Sequence, residues 1–210
     1  MRNKTDLTIV YIPGLFDRVR FVQFLQSKAL QPWRMLGVRV IIYTMGWSLD
    51  ARFEDRLDEL ENLIRNRTQQ GERVAVVGAS AGASAAVTLL EKCPELVTSA
   101  TLICGKIHRP DMIPGPVLEY NTVFEQALDQ LDERLDNLDP SQRARILSLR
   151  AAHDGIVPPQ DTIIEGADNR QMPVIGHLTG IAFALMNYGV PIVRFARRHV
   201  TLERDDTTHG

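Results

Sequence analysis

Three residue types needed for nucleophilic acyl chemistry occur in this sequence in the order serine, aspartate, histidine, at Ser80, Asp154 and His177. A serine hydroxyl is a weak nucleophile at neutral pH. It needs an imidazole to take its proton, and the imidazole needs a carboxylate to hold its tautomer and stabilise its charged form. Ser80 lies in Gly78-Ala79-Ser80-Ala81-Gly82, after the run Val74-Ala75-Val76-Val77 and before an Ala-rich segment that reads as helix. A strand that reverses directly into a helix needs backbone without Cβ on either side of a strained central residue, and the two glycines supply it. This is the G-x-S-x-G pattern in a strand-turn-helix context. Asp154 sits in His153-Asp154-Gly155, and His177 follows Gly176 at the end of a short apolar run. Taken alone, Asp154 reads equally as an ordinary Asp-Gly turn, and Asp161 and Asp168 are the alternative acids. Of the five histidines, only His177 falls between a last strand and a last helix; His108, His153, His199 and His209 do not.

These residues work together only if a sheet brings their loops to one rim. Apolar runs predict strands at residues 7–12, 38–43, 74–77, 97–104, 146–151 and 172–175. Helices are expected between them. One follows Asp17, placed as an N-cap, and carries Val19, Phe21, Val22, Phe24 and Leu25 until Gln31-Pro32 closes it. A second begins near Asp50, with Phe53, Leu57, Leu60 and Ile64 on one face. A third ends at Cys93-Pro94. A fourth opens with the capping-box spacing Thr122-x-x-Glu125, repeats Phe124, Leu128, Leu131, Leu135 and Leu138, and stops at Asp139-Pro140. A single last helix is expected over residues 178–198, with residues 201–210 a polar tail. Strand-helix alternation specifies an α/β fold, a mostly parallel sheet of about six strands with helices on both faces, in one domain over residues 1–200. Reactive residues then gather at the carboxyl ends of the strands.

With that order of elements the sequence resembles the α/β-hydrolase family over residues 7–198, in four signals: the first-strand Pro13-Gly14 loop, the Ser80 elbow, Asp154-x-x-Val157-Pro158, and Gly176-His177. The resemblance implies a nucleophile at Ser80, an acid at Asp154 and a base at His177. It implies oxyanion donors at the backbone amides of Ala81 and Leu15, with Phe16 a neighbouring alternative. It also implies a carboxylesterase-like serine hydrolase that cleaves an ester or thioester of a small or exposed acyl substrate through an acyl-enzyme. The chain departs from the family in having Pro13-Gly14 where many members have His-Gly, in lacking two leading antiparallel strands, and in leaving room for only a minimal cap between residues 105 and 145. Leu15, Phe16, Trp47, Met112 and Ile113 fall on loops at the expected rim and are read as shaping the acyl pocket. The same three residues also serve acyltransferases and perhydrolases, and the fold without its chemistry serves as a ligand- or protein-binding module.

Composition narrows the field. The 210 residues are 44% hydrophobic and carry a formal charge of −2, without a basic stripe that could follow a phosphate backbone, so nucleic acid is not an expected partner. The first apolar run is too short for a signal or a membrane span, and a cytoplasmic location is expected. Cys93 and Cys104 lack metal-binding spacing and read as small buried hydrophobes. No G-x-x-x-x-G-K-[ST], no G-x-G-x-x-G after the first strand and no H-E-x-x-H occurs, so neither metal nor organic cofactor is expected, and the sequence leaves oligomeric state open.

Overall fold

A computed structural model describes residues 7–48, 50–108 and 119–206. Six strands form one sheet: β1 Leu7–Ile12, β2 Arg39–Ile42, β3 Arg73–Ala79, β4 Val97–Ile103, β5 Ile146–His153 and β6 Asp168–Ile175. Their order is β2-β1-β3-β4-β5-β6, and every adjacent pair is parallel. The chain leaves β1 in one direction to make β2, then returns to β3 and builds the remainder on the other side. The reversal of strand order falls between β1 and β3, and at the carboxyl ends of such strands open α/β sheets place their reactive loops.

Alternate residues of the central strands enter two separate cores, as a period of two requires. Val10, Ile12, Val74 and Val76 pack beneath helices α2 Phe53–Gln69, α3 Gly82–Lys92 and α4 Thr122–Asn137. Ile9, Tyr11, Ala75 and Val77 pack on the other face, beneath α6 His177–Asn187 and α7 Gly189–Asp206, with Leu30 and Trp33. Helix α1, Arg20–Leu30, and the 3-10 turn Gln31–Leu36 lie on this second face. The Ala-rich α3 is buried on all sides through Leu90, because its small side chains let β3, β4 and α4 approach closely. The stripe Phe53, Leu57, Leu60 and Ile64 of α2 is fully buried, as its helical spacing predicts.

Several local expectations are corrected. Asp17 does not cap α1: its carboxylate is buried and accepts from the Gly46 amide at 2.5 Å, and the N-cap position falls to Val19. Phe21, Phe24 and Leu25 of α1 face outward, and Leu30 is the only buried residue of that helix. Thr122 is the first residue of α4 and Asn121 its N-cap, so the Thr122–Glu125 spacing is one residue out of register for a capping box. The box forms instead at Asp139 and Gln142, opening a five-residue helix α5, Pro140–Ala144. The single last helix is two. Tyr188 separates α6 from α7 with a 69° bend; α7 begins at Gly189, which packs against the Trp33 indole, and Pro191 in its first turn has no N–H with which to continue α6. Helix α7 continues to Asp206.

Candidate active site

At the end of β3 the backbone of Ser80 takes a φ of 51°, in the left-handed region that a residue with a Cβ enters at a cost of roughly 1–3 kcal/mol. Its amide donates to the Ile103 carbonyl at 3.0 Å, and its carbonyl accepts from Ala83 at 3.0 Å and Lys106 at 3.3 Å. The turn is held from three sides. It also depends on glycine: a Cβ on Gly78 would fall 2.2 Å from the Gly82 carbonyl oxygen, and one on Gly82 would fall 2.1 Å from that of Ile12. The first turn of α3 thus lies directly over the end of β1.

His177 is the first residue of α6, immediately after Gly176, whose φ of 95° requires glycine. The Gly176 amide donates to the His153 carbonyl at 2.7 Å and ties this corner to the end of β5. From there His177 Nε2 lies 2.8 Å from Ser80 Oγ, and Nδ1 lies 2.8 Å from Asp154 Oδ2. The second oxygen of Asp154 accepts from the amides of Ile156 and Val157 at 2.9 and 3.0 Å, so the carboxylate is fixed before it meets the imidazole. Both His177 and Asp154 are buried. With Nδ1–H donating to Asp154, Nε2 is left free to accept the serine proton. The structure therefore brings Ser80, Asp154 and His177 together. Asp161 and Asp168 are engaged elsewhere, with Lys106 and Arg170 respectively.

The loop after β1 meets Ser80 directly, since a Cβ on Gly14 would lie 2.9 Å from Ser80 Cβ. Leu15 is half-buried against the core, and Phe16 is exposed at the mouth. Among the described residues, neither the Leu15 nor the Ala81 amide donates a hydrogen bond. Trp47, expected on the pocket rim, is instead fully buried. Its indole N–H donates to the Pro13 carbonyl at 3.0 Å, and its ring packs between Phe53 and Phe124 at centroid distances of 6.4 and 5.9 Å. It anchors the Gly14 loop from below. Met112 and Ile113 lie outside the described residues.

Two supporting features carry no signal in the sequence. Lys106, on the loop after β4, is buried beside the elbow and pairs with Asp161 in the 3-10 turn Pro159–Thr162, joining the β4 loop to the loop that carries Asp154. Asp17 joins the β1 loop to Gly46; among the described residues its buried Oδ1 meets no hydrogen-bond partner, and burial raises its carboxyl above the ordinary range despite the Gly46 amide and the nearby Arg18 and Arg56. Cys93 and Cys104 are both buried thiols, pushed up to about 12 by burial, and so are poor nucleophiles at neutral pH. Among the described residues no group of three or more His, Cys, Asp or Glu side chains is placed to hold a metal ion. Among them, too, no single helix is long and apolar enough to cross a membrane.

The fold is that of the α/β-hydrolases. One of the metagenome-derived lipolytic enzymes LipS and LipT superimposes with a TM-score of 0.66 at 14% identity, covering 92% of this chain and 94% of that one. The metagenomic carboxyl esterase MGS0156 gives 0.65 at 14% identity over 96% and 77% of the two chains. A monoacylglycerol lipase from Paleococcus ferrophilus gives 0.63 at 14% identity over 91% and 94%. No family model and no curated relative matches the sequence itself.

Proposed function

We propose that the chain is a serine hydrolase of the carboxylesterase kind, cleaving an ester or thioester through an acyl-enzyme. The observation that carries this reading is the pair of 2.8 Å contacts made by one buried imidazole, to Ser80 Oγ on a strained elbow and to Asp154 Oδ2. Ser80 Oγ attacks the acyl carbonyl as His177 Nε2 takes its proton, and Asp154 stabilises the imidazolium. The oxyanion is received by the Ala81 and Leu15 amides, donors of a kind typically worth about 3 kcal/mol each in the transition state. His177 returns the proton to the leaving alcohol or thiol. It then activates a water that releases the acid and restores Ser80.

The test is labelling of the wild-type chain and Ser80→Ala with a fluorophosphonate, followed by turnover of p-nitrophenyl acetate, butyrate and octanoate. The wild type is expected to label and turn over, and the variant to do neither. A wild-type chain that fails to label overturns the reading.

A further inference from the structure

The face of the sheet covered by α1, α6 and α7 has an unusual outer surface. Helix α1 turns Phe21 and Phe24 outward, 69% and 56% exposed, together with Leu25. Helix α6, which packs beside it, exposes Leu178 and Met186, and Met35 projects from the intervening 3-10 turn. Exposed apolar side chains also surround the reactive residues. Phe16, Ile156, Ile175 and Leu178 are all exposed, and each lies within two residues of Gly14, Asp154 or His177. Single exposed apolar residues need no explanation, but this many on two adjoining helices and beside the reactive residues do.

The charge on the same face is one-sided. Between residues 18 and 49 the sequence has no aspartate or glutamate, and none occurs between residues 171 and 202. Those segments carry Arg18, Arg20, Lys28, Arg34, Arg39, Arg194, Arg197 and Arg198. Arg18, Arg20, Lys28 and Arg34 are exposed around the apolar cluster, and Lys28 lies 5.6 Å from the Phe24 ring centroid. A groove of about 340 Å³ between α1, the 3-10 turn and edge strand β2 presents Lys28 and Arg34 above Leu30, Val40 and Ile42. Acidic residues concentrate on the opposite face, in α2 and α4, so the chain is polarised although its formal charge is only −2.

We infer that this face docks on an anionic phospholipid surface, with the α1–α6 apolar cluster entering the headgroup boundary, the basic rim on the lipid phosphates, and the site mouth opening onto the membrane. An apolar face bordered by arginine and lysine provides the two signals that reversible surface binding needs. A second protein copy is the poorer match, because two such faces would bring like charges together. The role given to the docked state, drawing acyl substrate from the lipid phase, rests on the hydrolase reading; the docking itself does not.

The experiment therefore uses full-length Ser80→Ala, sedimented with phosphatidylcholine vesicles with and without about 30% phosphatidylglycerol. Binding is expected only to the anionic vesicles and is expected to be released by about 0.5 M NaCl. Phe21→Ser/Phe24→Ser and Lys28→Glu/Arg34→Glu should each weaken it by roughly tenfold. Phe21→Ser/Phe24→Ser in the Ser80 background should retain wild-type turnover of dissolved p-nitrophenyl acetate, which shows that it is folded. Equal binding to both vesicle types, or binding unaffected by the double replacements, overturns the proposal. So does a dimer in solution that Phe21→Ser/Phe24→Ser converts to monomer, which would assign the face to a second copy. Loss of ester turnover by the wild type would sink the hydrolase reading and leave the vesicle result standing.

Discussion

Replacing Gly14 by alanine measures how closely the loop after β1 is keyed to Ser80, the proposed nucleophile. The added Cβ would lie 2.9 Å from Ser80 Cβ, 3.3 Å from the Ala79 carbonyl oxygen and 3.4 Å from Ser80 Oγ. Comfortable carbon contact begins near 3.5 Å, so loop and elbow must separate by about 0.5 Å. Gly14 does not have a left-handed φ, so the backbone itself accepts alanine and the strain is purely one of space. The Ser80–His177 contact at 2.8 Å would be carried toward the edge of hydrogen-bond range. A misplacement of about 1 Å costs on the order of 10²-fold in rate, so half of that predicts a loss of about tenfold in kcat/KM, or about 1.4 kcal/mol. Overpacking should remove about 1–2 kcal/mol of stability. Gly155→Ala is the control: its Cβ meets nothing within 4 Å, so stability should hold or rise by about 0.5 kcal/mol with activity intact. The assay is p-nitrophenyl acetate kinetics with urea unfolding on both variants. Wild-type kcat/KM in Gly14→Ala, or an equal loss in Gly155→Ala, would refute the reasoning.

Asp154→Asn should lower kcat by about 10³–10⁴ with little change in KM. The Ile156 and Val157 amides hold the side-chain oxygen on their side, so the new NH₂ faces Nδ1 and drives the proton of His177 onto Nε2; turnover within tenfold of wild type would contradict this. Asp161→Ala leaves Lys106 buried without its carboxylate and should cost about 3 kcal/mol in urea unfolding, most of it recovered in Lys106→Met/Asp161→Leu; a loss that persists in the double variant would mean the charges were not its source. For Asp17 the folded carboxyl is raised by burial, so its contribution is fully present below the unfolded value and is lost as pH rises through the folded one. Asp17→Asn keeps an acceptor for Gly46 and should therefore gain on the wild type as pH is raised from about 4 to 8 in thermal melts, starting from about the ordinary Asp range; a gap that moves the other way would show the carboxylate to be stabilised where it is.

Element order and the elbow were legible because each rests on local pattern: alternating apolar runs, and glycines at the two positions where a Cβ would strike backbone. The chain order of Ser80, Asp154 and His177 was legible too, but their mutual distance was not, since it depends on strands far apart in sequence. The fates of Asp17, Trp47 and Lys106 were hidden for a related reason. Each is decided by a partner 29 to 55 positions away: the Gly46 amide, the Pro13 carbonyl and the Asp161 carboxylate. Helix α1 shows a different limit. Its periodicity marks an apolar stripe without saying whether the stripe faces core or solvent, and here much of it faces out. The break at Tyr188 went unseen because a proline is tolerated in the first turn of a new helix as readily as it ends an old one.

The sheet order has a consequence for how the chain acquires activity. Ser80 stands on a central strand, while the imidazole that faces it is 97 residues further along, just past edge strand β6. During synthesis the elbow, the Gly14 loop and four of the six strands are made long before His177 emerges. Contacts over such separations form late, because the loop-closure entropy must be met before they contribute. The serine should thus stay chemically idle until the sheet is closed at its last edge. Time-resolved fluorophosphonate labelling during refolding would then follow the docking of β6 and α6, and lag behind the recovery of helical circular dichroism.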